Sequence, residues 1–222
     1  MIAAVTNSKQ LFNWFDVALV LVLAFGFWRG RKHGMTKEFI PFFRWIFIVL
    51  IAGVFHSLLG EMLIQSGVCR SIFGKSIAEK TGAYVSSYLI IAGVIWLLFA
   101  YLGRWLKPKL ENSSFFGGGE YYLGILAGVL RYACIVLFGL ALLHAPYYTP
   151  EEIAAKVAYN NRWYGGGMKD FKGDYIPSID EAQVYVFHDS LLGPLIDKKL
   201  NMLLIYSGPV IADRKPVVDI QQ

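Results

Sequence analysis

Residues 83–102 read AYVSSYLIIAGVIWLLFAYL, and this stretch decides the class of protein. It contains no Asp, Glu, Lys, Arg or His, and its Ser and Tyr residues cluster at its leading edge. A helix of about 20 residues, at about 1.5 Å per residue, covers the roughly 30 Å hydrocarbon core of a bilayer. The sequence therefore predicts a transmembrane helix over 83–102.

Three further apolar stretches have similar lengths and predict three more spans. Residues 11–28 contain one carboxylate, Asp16, and residues 39–59 follow a basic connection. Residues 121–145 contain a single charge near their middle, Arg131. The expected fold is an all-α membrane protein with four transmembrane helices.

Composition supports this class and excludes others. The chain is 56% hydrophobic and 17% charged. Four buried helices of a soluble bundle would each carry a polar stripe, which these stretches lack. The formal charge of +5 does not predict nucleic-acid binding, because the basic residues lie between spans and no nucleic-acid motif accompanies them. The bilayer is the expected partner.

The distribution of Lys and Arg predicts the orientation. Five lie between residues 29 and 44 and three between 104 and 109. Basic residues beside short connections mark the cytoplasmic side. The first and third connections should therefore be cytoplasmic, and both termini should lie on the outer face, periplasmic or extracellular. The residues that carry most of this signal are Arg29, Arg31, Lys32 and Lys37.

The chain divides into a membrane module, residues 1–145, and a tail, residues 146–222, which is expected on the outer face. The connection 60–82 repeats Ile64, Val68 and Ile72 at every fourth residue, a pattern typical of a helix on the membrane surface. A plain loop fits that short pattern equally well.

The tail has too few apolar residues for a domain of its own and should carry short amphipathic helices that dock on the bundle or the bilayer. One should begin near Ser178, with Asp180 and Glu181 in its first turn. Another should begin near Pro194 and present the residues Leu195, Ile196, Leu200, Leu203 and Leu204.

Asp16 and Arg131 are the two charges that most need a partner, since a charge in hydrocarbon is costly. Asp16 lies 13 positions before Arg29, and Arg131 lies 11 after Glu120 on a helix of opposite direction. At 1.5 Å per residue their depths differ by about 3 Å. The sequence predicts an intramembrane ion pair between them. The alternative role is a titrating site in an ion path.

Glycines recur at four-residue intervals on two predicted helices. Gly26, Gly30 and Gly34 end the first, and Gly124 and Gly128 lie just before Arg131 in the fourth. Small residues at this spacing let helix backbones approach closely. They predict helix packing, either within one chain or between copies in a homo-oligomer.

No motif predicts catalysis, a metal or a cofactor. The sequence lacks nucleophile elbows, phosphate loops and zinc-binding helices. The four histidines are scattered along the chain, and none has a Cys, Asp or Glu at the spacing of a metal-ligand motif. The expectation is a non-enzymatic protein with no catalytic residue, no metal site and no cofactor.

Three of these features together resemble the colicin V production protein (CvpA) family. They are Asp16, the run Arg29-Gly30 with Gly34, and Leu123-Gly124 continuing through Gly128 to Leu130-Arg131. The chain departs from the family pattern at Tyr132, where a second glycine is typical, and at Glu120-Tyr121, where an acidic-basic pair is typical.

The resemblance implies a bacterial inner-membrane protein, with periplasmic termini, that supports colicin V or other toxin production or export, and envelope homeostasis. The amphipathic helices of the tail predict envelope or secretion proteins as partners. The alternative is an oligomeric channel or transporter subunit whose path is lined by Asp16 and Arg131. A membrane enzyme is a third class, for which the residues supply no signal.

Overall fold

The computed structural model of the chain describes residues 13–73, 77–111, 117–145, 182–183, 186–187 and 190–205. The regular elements in this part are helical. They are α1 (Trp14–Gln65), α2 (Val68–Phe73), α3 (Ile77–Glu111), α4 (Glu120–His144) and α5 (Gly193–Leu200), with 3-10 turns at Gly117–Gly119 and Asn201–Leu203.

Helix α1 is two helical arms joined at Gly34. Gly34 has φ 69° and ψ 174°, a left-handed backbone that a residue with a side chain rarely adopts. About 20 residues precede this break, which makes a first arm of about 30 Å, and about 31 residues follow it in the second arm.

The chain reverses direction relative to α4 at this break. Along the first arm, Gly26 lies against Gly128 and Gly30 against Gly124, so that numbering rises on one helix as it falls on the other. Along the second arm the order is reversed, because Glu38 contacts Arg131 and Trp45 contacts Phe138. The two arms therefore form a helical hairpin beside α4.

The first two predicted spans correspond to these two arms, and the other two to α3 and α4. Three helices of the structure, α1, α3 and α4, are long and apolar enough to cross a membrane. The sequence placed the end of its first span at Trp28, whereas the helix continues through the basic residues to Gly34. Arg29 and Glu38 stabilise this extension by pairing across the turn.

We call the two ends of the bundle the Gly34 end and the tail end. At the Gly34 end, Gly34 lies beside Glu120, and Ile40 of the second arm lies beside Gly103 of α3. At the tail end, Phe15, Ala52, Tyr88 and Ala141 belong to one apolar cluster. Helix α3 thus runs antiparallel to the second arm, with Trp96 against Trp45 between the two ends.

The outer surface of the bundle is apolar. Leu97 is 70% exposed, and the large side chains of Val20, Leu50, Val94 and Leu126 are also exposed. A protein in water rarely leaves so many large apolar side chains uncovered. Lipid chains are the solvent that suits this surface, in agreement with the all-helical membrane class that the sequence predicted.

The second connection contains the short helix α2, which follows a turn at Gly67 with φ 73°. Helix α1 ends at Gln65, and Gly67, two residues later, has the positive φ that is typical of a residue following a helix. Of the two alternatives for this connection, helix and plain loop, the structure has a helix over Val68–Phe73. The side chains of Ile72 and its neighbours lie outside the described residues.

The tail packs on the bundle. Helix α5 begins at Gly193, with Pro194 in its first turn, and the chain after the next 3-10 turn buries Leu204 and Ile205 in the cluster at the tail end. Leu203 lies against Gly53 of the second arm. This is the predicted helix near Pro194, docked on the bundle. The predicted helix start near Ser178 lies outside the described residues.

Candidate functional site: a buried ion network beside glycine contacts

Glycines bring the first arm and α4 into backbone contact. A Cβ added at Gly26 would lie 2.9 Å from the carbonyl oxygen of Gly128, and one added at Gly30 would overlap the carbonyl oxygen of Gly124. A Cβ at Gly124 would lie 2.6–2.8 Å from backbone atoms of Gly34 and Met35. Since backbone atoms cannot rotate away, these positions require glycine.

The structure thus places all five predicted packing glycines at one interface within the chain. Gly34 has a second reason to be glycine, because its φ of 69° disfavours any Cβ. The close approach of the arms and α4 brings the charged side chains on either side of Gly34 to the fourth helix.

Glu38 is the centre of an ion network. Its Oε2 accepts from Nη1 of Arg131 at 2.6 Å, and its Oε1 accepts from Nε of Arg29 at 3.2 Å. The Glu38 side chain is 3% exposed, that of Arg131 12% and that of Arg29 38%. The network joins both arms of α1 to α4.

Two arginines around one carboxylate explain how Glu38 is tolerated in the interior. Desolvating an unpaired carboxylate costs several kcal/mol, and charge-assisted bonds to guanidinium groups offset that cost. Arg29 and Glu38 are nine residues apart, or about 13 Å along a straight helix, so their pairing depends on the turn at Gly34. The ion network and the hairpin therefore stabilise each other.

The predicted pair of Asp16 and Arg131 is replaced in the structure by Glu38 and Arg131. The prediction measured the depth of Asp16 from Arg29, but the helix continues to Gly34, which packs against Glu120. Measured from Gly34, the depths of Asp16 and Arg131 differ by about 10 Å. Asp16 lies instead near the tail end, where its Oδ2 accepts from the backbone N–H of Leu191 at 3.0 Å.

Sequence reasoning missed Glu38 because it lies at the edge of an apolar stretch, within a basic connection. A signal for it exists in the sequence, since Glu38 is the only carboxylate between Val17 and Gly60. An isolated acidic residue beside four basic ones favours a local ion pair. Its pairing with Arg131, 93 positions away, follows only from the packing of α4.

Arg44 lies further along the second arm and contacts an aromatic ring. Its guanidinium carbon is 3.7 Å from the centroid of the Trp96 ring, a cation–π contact between the second arm and α3. The Nε atoms of Arg44 and Arg131 are buried without a hydrogen-bond acceptor. The site therefore contains N–H donors that the described residues do not satisfy.

The basic residues at the Gly34 end stand beside aromatic rings. Lys32 lies 5.4 Å from the Trp28 ring and Arg31 lies 5.7 Å from the Tyr121 ring. On α3, Lys109 lies 3.9 Å from the Trp105 ring. Lys37 is exposed. Aromatic and basic side chains together are typical of the headgroup layer of a bilayer.

At the tail end, His144 connects α4 to the tail. Its Nδ1–H donates to the carbonyl of Ile205 at 2.9 Å, and its Nε2 lies 3.3 Å from Oδ1 of Asp197. Gln183 donates from Nε2 to the carbonyl of Leu143 at 2.6 Å. The Gln183 bond satisfies a carbonyl in the last turn of α4, where carbonyls have no partner within the helix.

Among the described residues, no three His, Cys, Asp or Glu side chains are grouped so that they could hold a metal ion. His33 and His56 each donate from Nδ1–H to a carbonyl of their own helix. His188 lies outside the described residues. The chemistry available at the site is ion pairing and hydrogen bonding by arginine.

Comparison with known proteins gives one match. The family model described as colicin V production protein matches residues 15–160, which include both arms of α1, α3 and α4. No curated protein and no solved structure matches the chain. Because the match covers well over half of the 222 residues, this helical membrane protein belongs to the colicin V production protein (CvpA) family.

Proposed function

We propose that the chain is a four-span inner-membrane protein that supports colicin V or other toxin production or export, and envelope homeostasis, without being an enzyme itself. The observation that carries this proposal is the family match over residues 15–160, which covers residues 15–145 of the membrane module and the first 15 residues of the tail. The family match thus includes the helices that hold the Glu38 network.

Four spans are supported by the hairpin at Gly34. Each arm of α1 is long enough to cross the hydrocarbon core, and the arms run in opposite directions beside α4. The break at Gly34 lies among basic residues, and the end of α3 with Lys109 lies at the same end of the bundle. Positive residues on one side favour a cytoplasmic Gly34 end, which puts both termini in the periplasm.

In this orientation the tail lies in the periplasm. Helix α5 exposes Leu195 and has Lys198 and Lys199 in its last turn. A surface with both apolar and basic side chains can meet a protein of the envelope or the secretion machinery. The tail is therefore the part of the chain that we assign to partner binding.

The orientation is tested by labelling intact cells with a membrane-impermeant maleimide. Cys69 and Cys134, both free thiols, are first replaced by Ser. Asn201→Cys, at an exposed position of the tail, should label, whereas Ser113→Cys, between α3 and α4, should label only after the cells are opened. The reverse pattern would place the tail in the cytoplasm and overturn the periplasmic assignment.

The function is tested in a bacterium that carries the colicin V production genes but lacks its own family member. Expression of this chain should restore the toxin in the medium, measured by inhibition of a sensitive strain. Glu38→Gln should fail at equal membrane abundance, and Glu61→Gln, at an exposed position of the same helix, should succeed. If wild-type protein inserts normally and restores no toxin, the proposed role in toxin production is overturned.

The channel alternative has less support from the geometry. Arg131 is engaged by Glu38, and Asp16 lies toward the opposite end of the bundle, so the two residues do not line one path within the chain. Ion flux in reconstituted vesicles that disappears with Asp16→Ala would favour the channel over the non-conducting factor.

A further inference from the structure

Arg29, Arg131 and, further along the second arm, Arg44 outnumber Glu38, the carboxylate that the described residues place among them. Arg29 and Arg131 share the single carboxylate of Glu38, so that one of their two positive charges has no counter-ion among the described residues. Arg44 adds another, because no carboxylate among the described residues lies within 4.0 Å of it. In an apolar surrounding, an uncompensated guanidinium attracts an anion from outside the protein.

The same arginines have unused hydrogen-bond donors. The Nε atoms of Arg131 and Arg44 are buried and have no acceptor in the part of the chain that the structure describes. Arg29 bonds Glu38 through Nε, its terminal nitrogens have no acceptor among the described residues, and its side chain is 38% exposed. Arg29 is therefore the point at which a ligand could reach the network, and Arg131 is bonded to the other oxygen of Glu38.

The surroundings indicate where the anion would come from. Trp28 with Lys32 and Trp105 with Lys109 form an aromatic and basic surface at this end, which is the composition found beside lipid headgroups. Lipid phosphates are therefore concentrated at the depth where Arg29 is exposed. Guanidinium groups bind phosphate through paired N–H bonds, and basic pockets between membrane helices hold anionic headgroups.

We propose that Arg29, with Arg131 behind it, binds the phosphate of an anionic phospholipid at the Gly34 end, and that Arg44 adds to the attraction. The headgroup should carry no ammonium, because a second cation would be repelled by the unpaired arginine charge. A lipid of the phosphatidylglycerol class meets this requirement and a phosphatidylcholine does not. The bound lipid would supply the negative charge that the protein lacks.

Native mass spectrometry of the full-length protein in detergent tests the proposal with lipids of identical acyl chains. Wild type should retain phosphatidylglycerol at least about tenfold more tightly than phosphatidylcholine, as expected for a charge-assisted phosphate contact. Arg29→Gln should lower phosphatidylglycerol affinity by about fivefold or more, whereas Arg104→Gln, an exposed arginine of α3, should lower it less than about twofold.

Three results would overturn the proposal. The first is equal binding of both lipids by the wild type, a result that does not depend on whether any variant folds. Arg104→Gln could weaken binding as much as Arg29→Gln, which would indicate general surface charge. Millimolar inorganic phosphate could displace the lipid, which would assign the site to a free anion. Arg29→Lys, which retains the charge but loses the paired N–H geometry, should bind phosphatidylglycerol more weakly than wild type.

Discussion

At the Gly34 end the helices meet through glycine backbones and a three-residue ion network, whereas at the tail end they meet through apolar side chains. Gly124 and Glu38 represent the first kind of contact. Ala52, Tyr88 and Ala141 represent the second, together with Leu204 and Ile205 from the tail. The first kind tolerates little change, because backbone atoms and buried charges have no alternative arrangement. An apolar cluster can repack.

The largest effect should come from Glu38→Gln, which leaves Arg29 and Arg131 without a carboxylate. Breaking a buried ion pair in this way should lower the free energy of unfolding by about 3–5 kcal/mol. Thermal or SDS unfolding of the purified protein in detergent measures it. Glu61→Gln removes the same charge from an exposed position of α1 and should change stability by less than about 0.5 kcal/mol. Equal effects would refute the distinction.

Gly124→Ala should have the next largest effect. Its Cβ would lie 2.6–2.8 Å from backbone atoms at Gly34 and Met35, so the helices must separate, at a cost of about 1–3 kcal/mol. The matched control is Gly93→Ala in α3, where a Cβ meets nothing within 4 Å and the better helix former should be neutral or slightly stabilising. The same unfolding measurement applies. A neutral Gly124→Ala would show that the glycine contact is looser than described.

A smaller and local effect is expected at the tail end from His144→Phe. The change removes the hydrogen bond to the carbonyl of Ile205 and the contact with Asp197, at a cost of about 1 kcal/mol. Limited trypsin digestion should cut sooner after Lys198 or Lys199, while the transmembrane helices stay intact. Cutting at the wild-type rate would mean that apolar burial of Leu204 and Ile205 alone holds the tail.

The smallest effect should come from Asp16→Asn, which weakens one hydrogen bond to the N–H of Leu191 by about 0.5–1 kcal/mol. A double-mutant cycle makes the result specific. Asp16→Asn and Arg131→Gln should be additive within about 0.5 kcal/mol, whereas Glu38→Gln and Arg131→Gln should be coupled by more than about 1 kcal/mol. Strong coupling of Asp16 to Arg131 would support the ion pair that the sequence predicted and contradict the pairing of Arg131 with Glu38.

Much of the fold was predictable because the bilayer imposes a simple rule on sequence. Backbone groups in hydrocarbon must bond within their own helix, so an uninterrupted apolar stretch such as residues 83–102 is a helix, and the structure has it within α3. The packing glycines were predictable for a related reason, since close approach of backbones requires small residues at helical spacing. Spacing alone did not reveal that these glycines meet within one chain.

The partner of Arg131 was not predictable in the same way. Depth along a helix can be counted only from a known end, and the apolar pattern placed the end of the first helix at Trp28 when the helix continues to Gly34. The extension is rich in basic residues, and Glu38 stabilises it by pairing with Arg29 across the turn. The wrong end of the first helix thus led to the wrong partner for Arg131.

The sequence by itself determined that this protein is helical and lies in a membrane, which residues are apolar, and which glycines can pack, because these properties depend on each segment and its solvent. Only the tertiary structure decided that the chain reverses at Gly34, that Glu38 joins Arg29 to Arg131, and that the tail packs against Ala52 and Ala141. Those choices depend on which side chains meet across helices, and the free energy of such contacts is a property of pairs distant in sequence.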